Sequence, residues 1–199
     1  MKVIFLDNDG VICLSNNWGS RHKKQKKWGG RKLSMEINSI PVDCRFDDFD
    51  KKAIKILNEI IYETDAEIVV SSDWRLYANL EELGEYYISQ GIIKKPIDVT
   101  KIIHYTNWLN DEYITNDFPW NRTEGSEQER HFEIKRWLIE HPEVTSWVAV
   151  DDLYMGINME SDWGEYQRTW GLENFVHTPK SLEGIKQSGI KEKILKYLT

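Results

Sequence analysis

The sequence predicts an α/β protein built on a mainly parallel sheet covered by helices on both faces. Two observations carry that reading. Short apolar runs rich in β-branched residues alternate with stretches of helical periodicity. Three of those runs end abruptly in polar side chains, as strands do where a parallel sheet opens into a ligand crevice.

The first run, residues 3–6, is apolar and ends in Asp7-Asn8-Asp9-Gly10, which suits a buried strand turning into a loop. Residues 13–48 are polar, basic and glycine-containing, without sustained periodicity, and read as an insertion or long loop. From residue 50 to about 62, Ile54, Leu57 and Ile61 fall on one helical face, with Asp50 placed to cap it. Residues 68–70 form a second buried strand, ending in Ser71 and Ser72. Leu76, Leu80, Leu83 and Tyr87 then repeat as an amphipathic helix closed near Gly91.

Residues 92–129 carry no clear pattern beyond a short strand around Ile102 and a polar loop over 121–129. Residues 130–140 are helical through Ile134, Trp137 and Leu138, and stop at His141-Pro142. The apolar strand 147–150 follows and ends in Asp151-Asp152. A last short strand near Phe175 and Val176, and a helix through Ile190, Ile194, Leu195 and Leu198, complete a three-layer Rossmann-like arrangement.

The length of 199 residues fits one domain over 1–199, with a small cap insertion at about 13–48. Cys13 and Cys44 are too few for a disulfide framework or a thiolate zinc site, and both read as reduced thiols. The apolar N-terminal run meets an acid after four residues and no segment reaches membrane-spanning length, so a soluble, cytoplasmic protein without a membrane partner is expected. Net charge is −7, yet residues 21–32 hold seven Lys or Arg and no acid. Such an asymmetry marks either a polyanion contact or a solvated insertion loop.

Asp7, Asp9, Asp151 and Asp152 converge if the strands share one sheet, and four carboxylates at one point repel unless a cation sits among them. Oxygen donors without matched His or Cys favour Mg²⁺, which in turn favours a phosphorylated substrate. One carboxylate of the first strand end then attacks phosphorus, while the other protonates the leaving oxygen and later activates water. Ser71 donates to a phosphoryl oxygen without adding charge. Arg130 and Lys135, shortly before the third strand, are the candidate phosphate-neutralising cations. An EF-hand does not fit, because the twelfth position counted from Asp7 is Trp18 rather than Glu. Taken singly, Asp151-Asp152 also reads as a helix cap and Ser71 as a strand end.

The string VIFLDNDGVI resembles the first signature of the haloacid dehalogenase superfamily, IVVSS the second and WVAVDD the fourth, in the right order. A closer likeness is to the haloacid-dehalogenase-type domains of Swiss Army Knife RNA repair proteins, through AEIVVSSDWR, Arg130 with Glu133-Ile134 and Trp137-Leu138, and Gly171-Leu172. The resemblance implies Asp7 as the residue phosphorylated and Asp9 as the acid/base. It places Asp7, the Asp9 carbonyl and an acid of the 151/152 pair around Mg²⁺, with Asp152 preferred. It sets Ser71, ahead of Ser72, at the phosphate, and Arg130 ahead of Lys135 as the cation. Trp74 is expected to pack beneath the site.

The expected activity is therefore an Mg²⁺-dependent phosphatase acting through an aspartyl-phosphate on RNA or DNA terminal phosphates or on nucleotides. A small-phosphometabolite phosphatase and a non-catalytic nucleic-acid-binding module on the same fold are the alternatives. Trp18 and Trp28 in the insertion either stack on bases while Lys and Arg hold the backbone, or pack the insertion onto the core.

Overall fold

A computed structural model describes residues 1–28, 39–102, 130–157 and 171–199. Its sheet has five parallel strands: β1 (Lys2–Leu6), β2 (Glu67–Val70), β3 (Asp98–Val99), β4 (Ser146–Asp151) and β5 (Phe175–His177). They lie in the order β3-β2-β1-β4-β5. The chain thus builds outward from β1 on one side, then crosses to start again on the other. The switch point falls between β1 and β4, where diverging connections leave a crevice beyond the carboxyl ends.

Register brings the strand ends level. Leu6 pairs with Val70 on one side and with Val150 on the other. One residue further on, the Ser71 N–H donates to the Leu6 carbonyl at 2.9 Å and the Asp7 N–H donates to the Val150 carbonyl at 3.1 Å. The three expected strand ends therefore meet.

Both faces of the sheet are buried, which explains why its strands read as continuous apolar runs. Ile4, Leu6, Ile68, Val70, Val148 and Val150 face the larger half of the core. That half is closed by α3 (Lys51–Thr64), α4 (Leu80–Gln90) and the final helix α6 (Ile190–Leu198). The alternate residues Val3, Phe5, Val69 and Ala149 pack against Ile134 and Trp137 of α5 (Arg130–Glu140) on the opposite face. Each fully buried aliphatic or aromatic side chain contributes about 1.5–3 kcal/mol relative to exposure.

Helix α3 follows its pattern closely: Ala53, Ile54, Leu57, Ile60 and Ile61 are buried, and the Asp50 carboxylate accepts from the Lys52 and Ala53 N–H groups. Helix α4 corrects an expectation. Leu76 is not on it but in a 3-10 turn (Asp73–Leu76), 53% exposed. Asn79 and Glu82 form a reciprocal capping box that starts the helix at Leu80, and this local bonding overrides the apolar spacing. A second correction concerns Ile102, which is in no strand; β3 lies earlier, where Asp98 and Val99 pair with Val69 and Val70 and the ladder ends with β2. The loop expected over 121–129 is outside the described residues.

After β1 the chain stays in the core through Leu14 before emerging. It then forms a 3-10 turn (Ser15–Asn17), α1 (Ser20–Trp28) and, further on, the single turn α2 (Val42–Arg45). Helix α1 buries no residue, which is why the segment shows no apolar period. Polar contacts hold it instead. Asp47 accepts from the Arg21 N–H at 2.8 Å, Lys24 donates to Asp48 at 2.8 Å, and Gln25 donates to the Cys44 carbonyl at 2.8 Å. Cys13 and Cys44 are free thiols and buried. Among the described residues no helix is long and apolar enough to cross a membrane.

Candidate active site

Asp7 is the first residue beyond β1 and is almost fully buried. The turn after it is tight: the Asn8 carbonyl accepts from the Val11, Ile12 and Cys13 N–H groups, and the Asn8 side chain accepts from the Tyr87 hydroxyl at 2.6 Å. Gly10 takes a left-handed conformation there, with φ +71°. Asp151 ends β4 and is 1% exposed, while Asp152 is half-buried. Carboxylate oxygens of Asp7, Asp151 and Asp152 all lie within 4.8 Å of one another.

Arg130, the first residue of α5, enters this cluster from the opposite face of the sheet. Its Nη1 is 2.7 Å from Asp151 Oδ2 and 3.3 Å from Asp7 Oδ1, and its Nη2 is 3.3 Å from Asp73. Burial works against its charge, but Asp7 and Asp151 outweigh burial and keep the guanidinium firmly protonated. Lys135 lies five residues along the same helix. Burial lowers its ammonium below the ordinary lysine range, and the charge of Glu173, on the loop entering β5, acts against that.

Two buried acids and the half-buried Asp152 face one Arg, an excess of two acidic groups. Burial lifts Asp7 well above the usual carboxylate range, and Asp151 adds to it. Burial raises Asp151 too, partly offset by Arg130. Asp152 is pushed up to about 6, first by burial and then by the charge of Asp151. A hard divalent cation matches such a site: the donors are all carboxylate oxygens and carry the charge that Mg²⁺ would neutralise. Both oxygens of Asp151 are already engaged, one by Arg130 and one by the Leu153 N–H at 2.8 Å. Asp152 is the less committed of the pair.

Asp9 stands apart from the three-acid cluster. Its Oδ2 accepts from Trp74 Nε1 at 2.8 Å. Burial raises Asp9, while hydrogen bonds from Trp74 and Cys13 pull it back. Ser71 and Ser72 occupy the tip of β2 beside Asp7, and among the described residues their hydroxyls are buried without a hydrogen-bond partner. An unmet buried hydroxyl costs about 1–3 kcal/mol, so a ligand oxygen within reach of either one is favoured there.

Sequence reasoning named Arg75 and Glu133 within the family-like strings without pairing them, and it missed the other supporting groups. Arg75 and Glu133 form a buried pair at 2.6 Å, joined by Thr100 at 3.3 Å. His177 Nε2 donates to the Asp152 carbonyl at 2.8 Å. Phe46 and Phe49 stack on Trp74 from within the segment that shows no periodicity. A run such as Phe46-Asp47-Asp48-Phe49 is too short to show a period that tells it from a surface loop.

The fold and the site together define a class: an α/β protein whose carboxylates converge on one cation-seeking point at the switch point of a parallel sheet. Over residues 3–186 the chain matches the family model described as the HAD domain in Swiss Army Knife RNA repair proteins, and it belongs to that family. Comparison with curated proteins and with solved structures returned no match.

Proposed function

We propose that this chain is a phosphomonoester hydrolase that forms an aspartyl-phosphate on Asp7, acting on nucleic-acid terminal phosphates or nucleotides. One observation carries the reading: Asp7, Asp151 and Asp152 gather around one point, with Arg130 and two serine hydroxyls, unmet among the described residues, beside them. Mg²⁺, when bound by Asp7, the Asp9 carbonyl and Asp152, supplies charge neutralisation for the phosphoryl group.

In this reading Asp7 attacks phosphorus and Asp9 gives its proton to the departing oxygen, then takes one from the water that cleaves the acyl phosphate. Ser71, with Ser72 behind it, donates to the phosphoryl oxygens. Arg130 balances the charge that builds on them.

Support for a nucleic-acid substrate comes from α1. Trp18 and Trp28 are 54% and 48% exposed, so neither is consumed in packing the insertion onto the core. Lys23, Lys26 and Lys27 are exposed alongside them. Exposed rings interleaved with cations suit a single strand, whose bases stack while its phosphates are held. The segment 13–48 then acts as a cap that screens the site.

Two measurements test this. Wild-type protein with Mg²⁺ turns over an aryl phosphate and Asp7→Asn does not; activity retained in Asp7→Asn would remove the nucleophile assignment. A panel of 3′- and 5′-phosphorylated oligonucleotides, nucleotides and small phosphate esters ranks substrates, and preference for the small esters would overturn the nucleic-acid part. Salt-sensitive oligonucleotide binding with no turnover of any ester would favour a binding module instead.

A further inference from the structure

We propose that Trp74 is the positioning residue for the acid/base Asp9, and that its indole N–H, aimed by an aromatic clamp from residues 46 and 49, holds the Asp9 carboxyl for proton transfer. The inference rests on the reading of Asp9 given above.

The geometry begins with the hydrogen bond of 2.8 Å from Trp74 Nε1 to Asp9 Oδ2. An indole N–H has one direction, so the bond is only as well aimed as the ring. Here the ring has no freedom. Phe46 stacks on it at 4.3 Å with an interplanar angle of 6°, and Phe49 at 5.2 Å and 16°. Tyr86 meets it edge-on at 5.8 Å. The clamp is itself fastened: the Tyr86 hydroxyl donates to the Asp47 carbonyl at 2.9 Å, and the Phe49 N–H donates to Gln90 at 3.0 Å. Trp74 is 5% exposed, and its backbone closes the 3-10 turn that follows the Ser71-Ser72 tip of β2.

Asp9 is the only acid of the first signature loop left outside the carboxylate cluster. Without a fixed donor its side chain is free to choose among staggered rotamers, most of them useless for reaching a leaving oxygen. The Trp74 bond, together with that of the Cys13 thiol, removes that choice. It also singles out Oδ2 as the oxygen that the indole holds in place. In the forward step the Asp7–phosphorus bond forms, the phosphorus–ester oxygen bond breaks, and the Asp9 proton passes to that oxygen. The alcohol leaves neutral and Asp9 is left as the carboxylate.

A buried indole also seeks an acceptor for structural reasons alone. The two roles separate by leaving group, because a nitrophenolate departs without a proton and an alkoxide does not. The readout is kcat/KM, which reports events through leaving-group departure, for an alkyl phosphate and for p-nitrophenyl phosphate. Trp74→Phe keeps an aromatic ring in the clamp and removes the N–H. Its ratio of alkyl to aryl kcat/KM is expected to fall about tenfold, a fraction of the 10²–10⁴ that a general acid contributes. On an Asp9→Asn background the same substitution should leave the ratio as it was. Benzothienylalanine at position 74 keeps the two-ring shape and exchanges only the N–H for sulfur. It should reproduce the fall even if the phenylalanine variant folds poorly.

Equal losses on both esters, in the phenylalanine and benzothienyl proteins alike, would overturn the positioning role while leaving the phosphatase reading intact. A full effect on the Asp9→Asn background would do the same. A wild-type protein that cleaves neither ester overturns the parent reading and this role with it.

Discussion

Gly10 and Asp152 share one space: a Cβ built on Gly10 would lie 2.1 Å from Asp152 Oδ2. The backbone of the first loop thus touches the carboxylate of the last, and the absent side chain is what lets β1 and β4 deliver their acids together. Gly10→Ala should displace Asp152 and strain a residue at φ +71°. The left-handed backbone alone costs about 1–2 kcal/mol. The expected result is a lower melting temperature and at least tenfold weaker Mg²⁺ binding by calorimetry. Unchanged Mg²⁺ affinity would remove Asp152 from the ligand set.

Asp152 makes the metal-free protein sensitive to pH. Its carboxyl is raised from 3.8 to about 6 by burial and the neighbouring Asp151. Between those values the native state holds a proton that the unfolded chain has released, so stability declines as pH rises through the window. Other acids, Asp50 and Glu82 among them, are lowered and act in the opposite direction. The difference between wild type and Asp152→Asn isolates the effect. Without metal, the melting advantage of the variant should grow from pH 4 to 6 and then level off, and saturating Mg²⁺ should reverse it. An advantage that shrinks over that range contradicts the account.

Arg130 and Lys135 should separate sharply. Arg130 touches both Asp7 and Asp151, whereas Lys135 lies five residues further along α5 and feels the charge of Glu173. Arg130→Gln should lower kcat/KM by about 10²–10³, as expected when a donor to the developing charge is lost. It also strands buried acids, at about 3–5 kcal/mol of stability in the metal-free state. Lys135→Gln should stay within about threefold of wild type. Comparable losses in the two variants would undo the choice of Arg130.

Asp50 provides a stability test remote from the chemistry. Its carboxylate caps α3 through Lys52 and Ala53 and lies 3.2 Å from Lys186. Asp50→Ala should destabilise the fold by about 1 kcal/mol in urea melts, with kcat unaltered. A kcat change would show that α3 reaches the site.

Much of this was legible in the residues alone. The runs ending at Asp7, Ser71 and Asp151 announce strands because burial on both faces demands unbroken apolar sequence, and Ile54, Leu57 and Ile61 announce α3 because a helix repeats every 3.6 residues. Those signals are local. β3 escaped notice because two residues have no period and owe their state to pairing with Val69 and Val70. Helix α1 escaped because polar bonds to Asp47 and Asp48, not an apolar face, hold it.

What the sequence determined by itself was the set of elements and the polar residues at their tips. Tertiary structure decided the rest: β1 and β4 as neighbours, Arg130 against Asp7 and Asp151, and the Trp74 indole on Asp9. Each of those pairings joins residues at least 21 positions apart. Their partners are chosen by register, burial and charge in three dimensions, which no local pattern encodes.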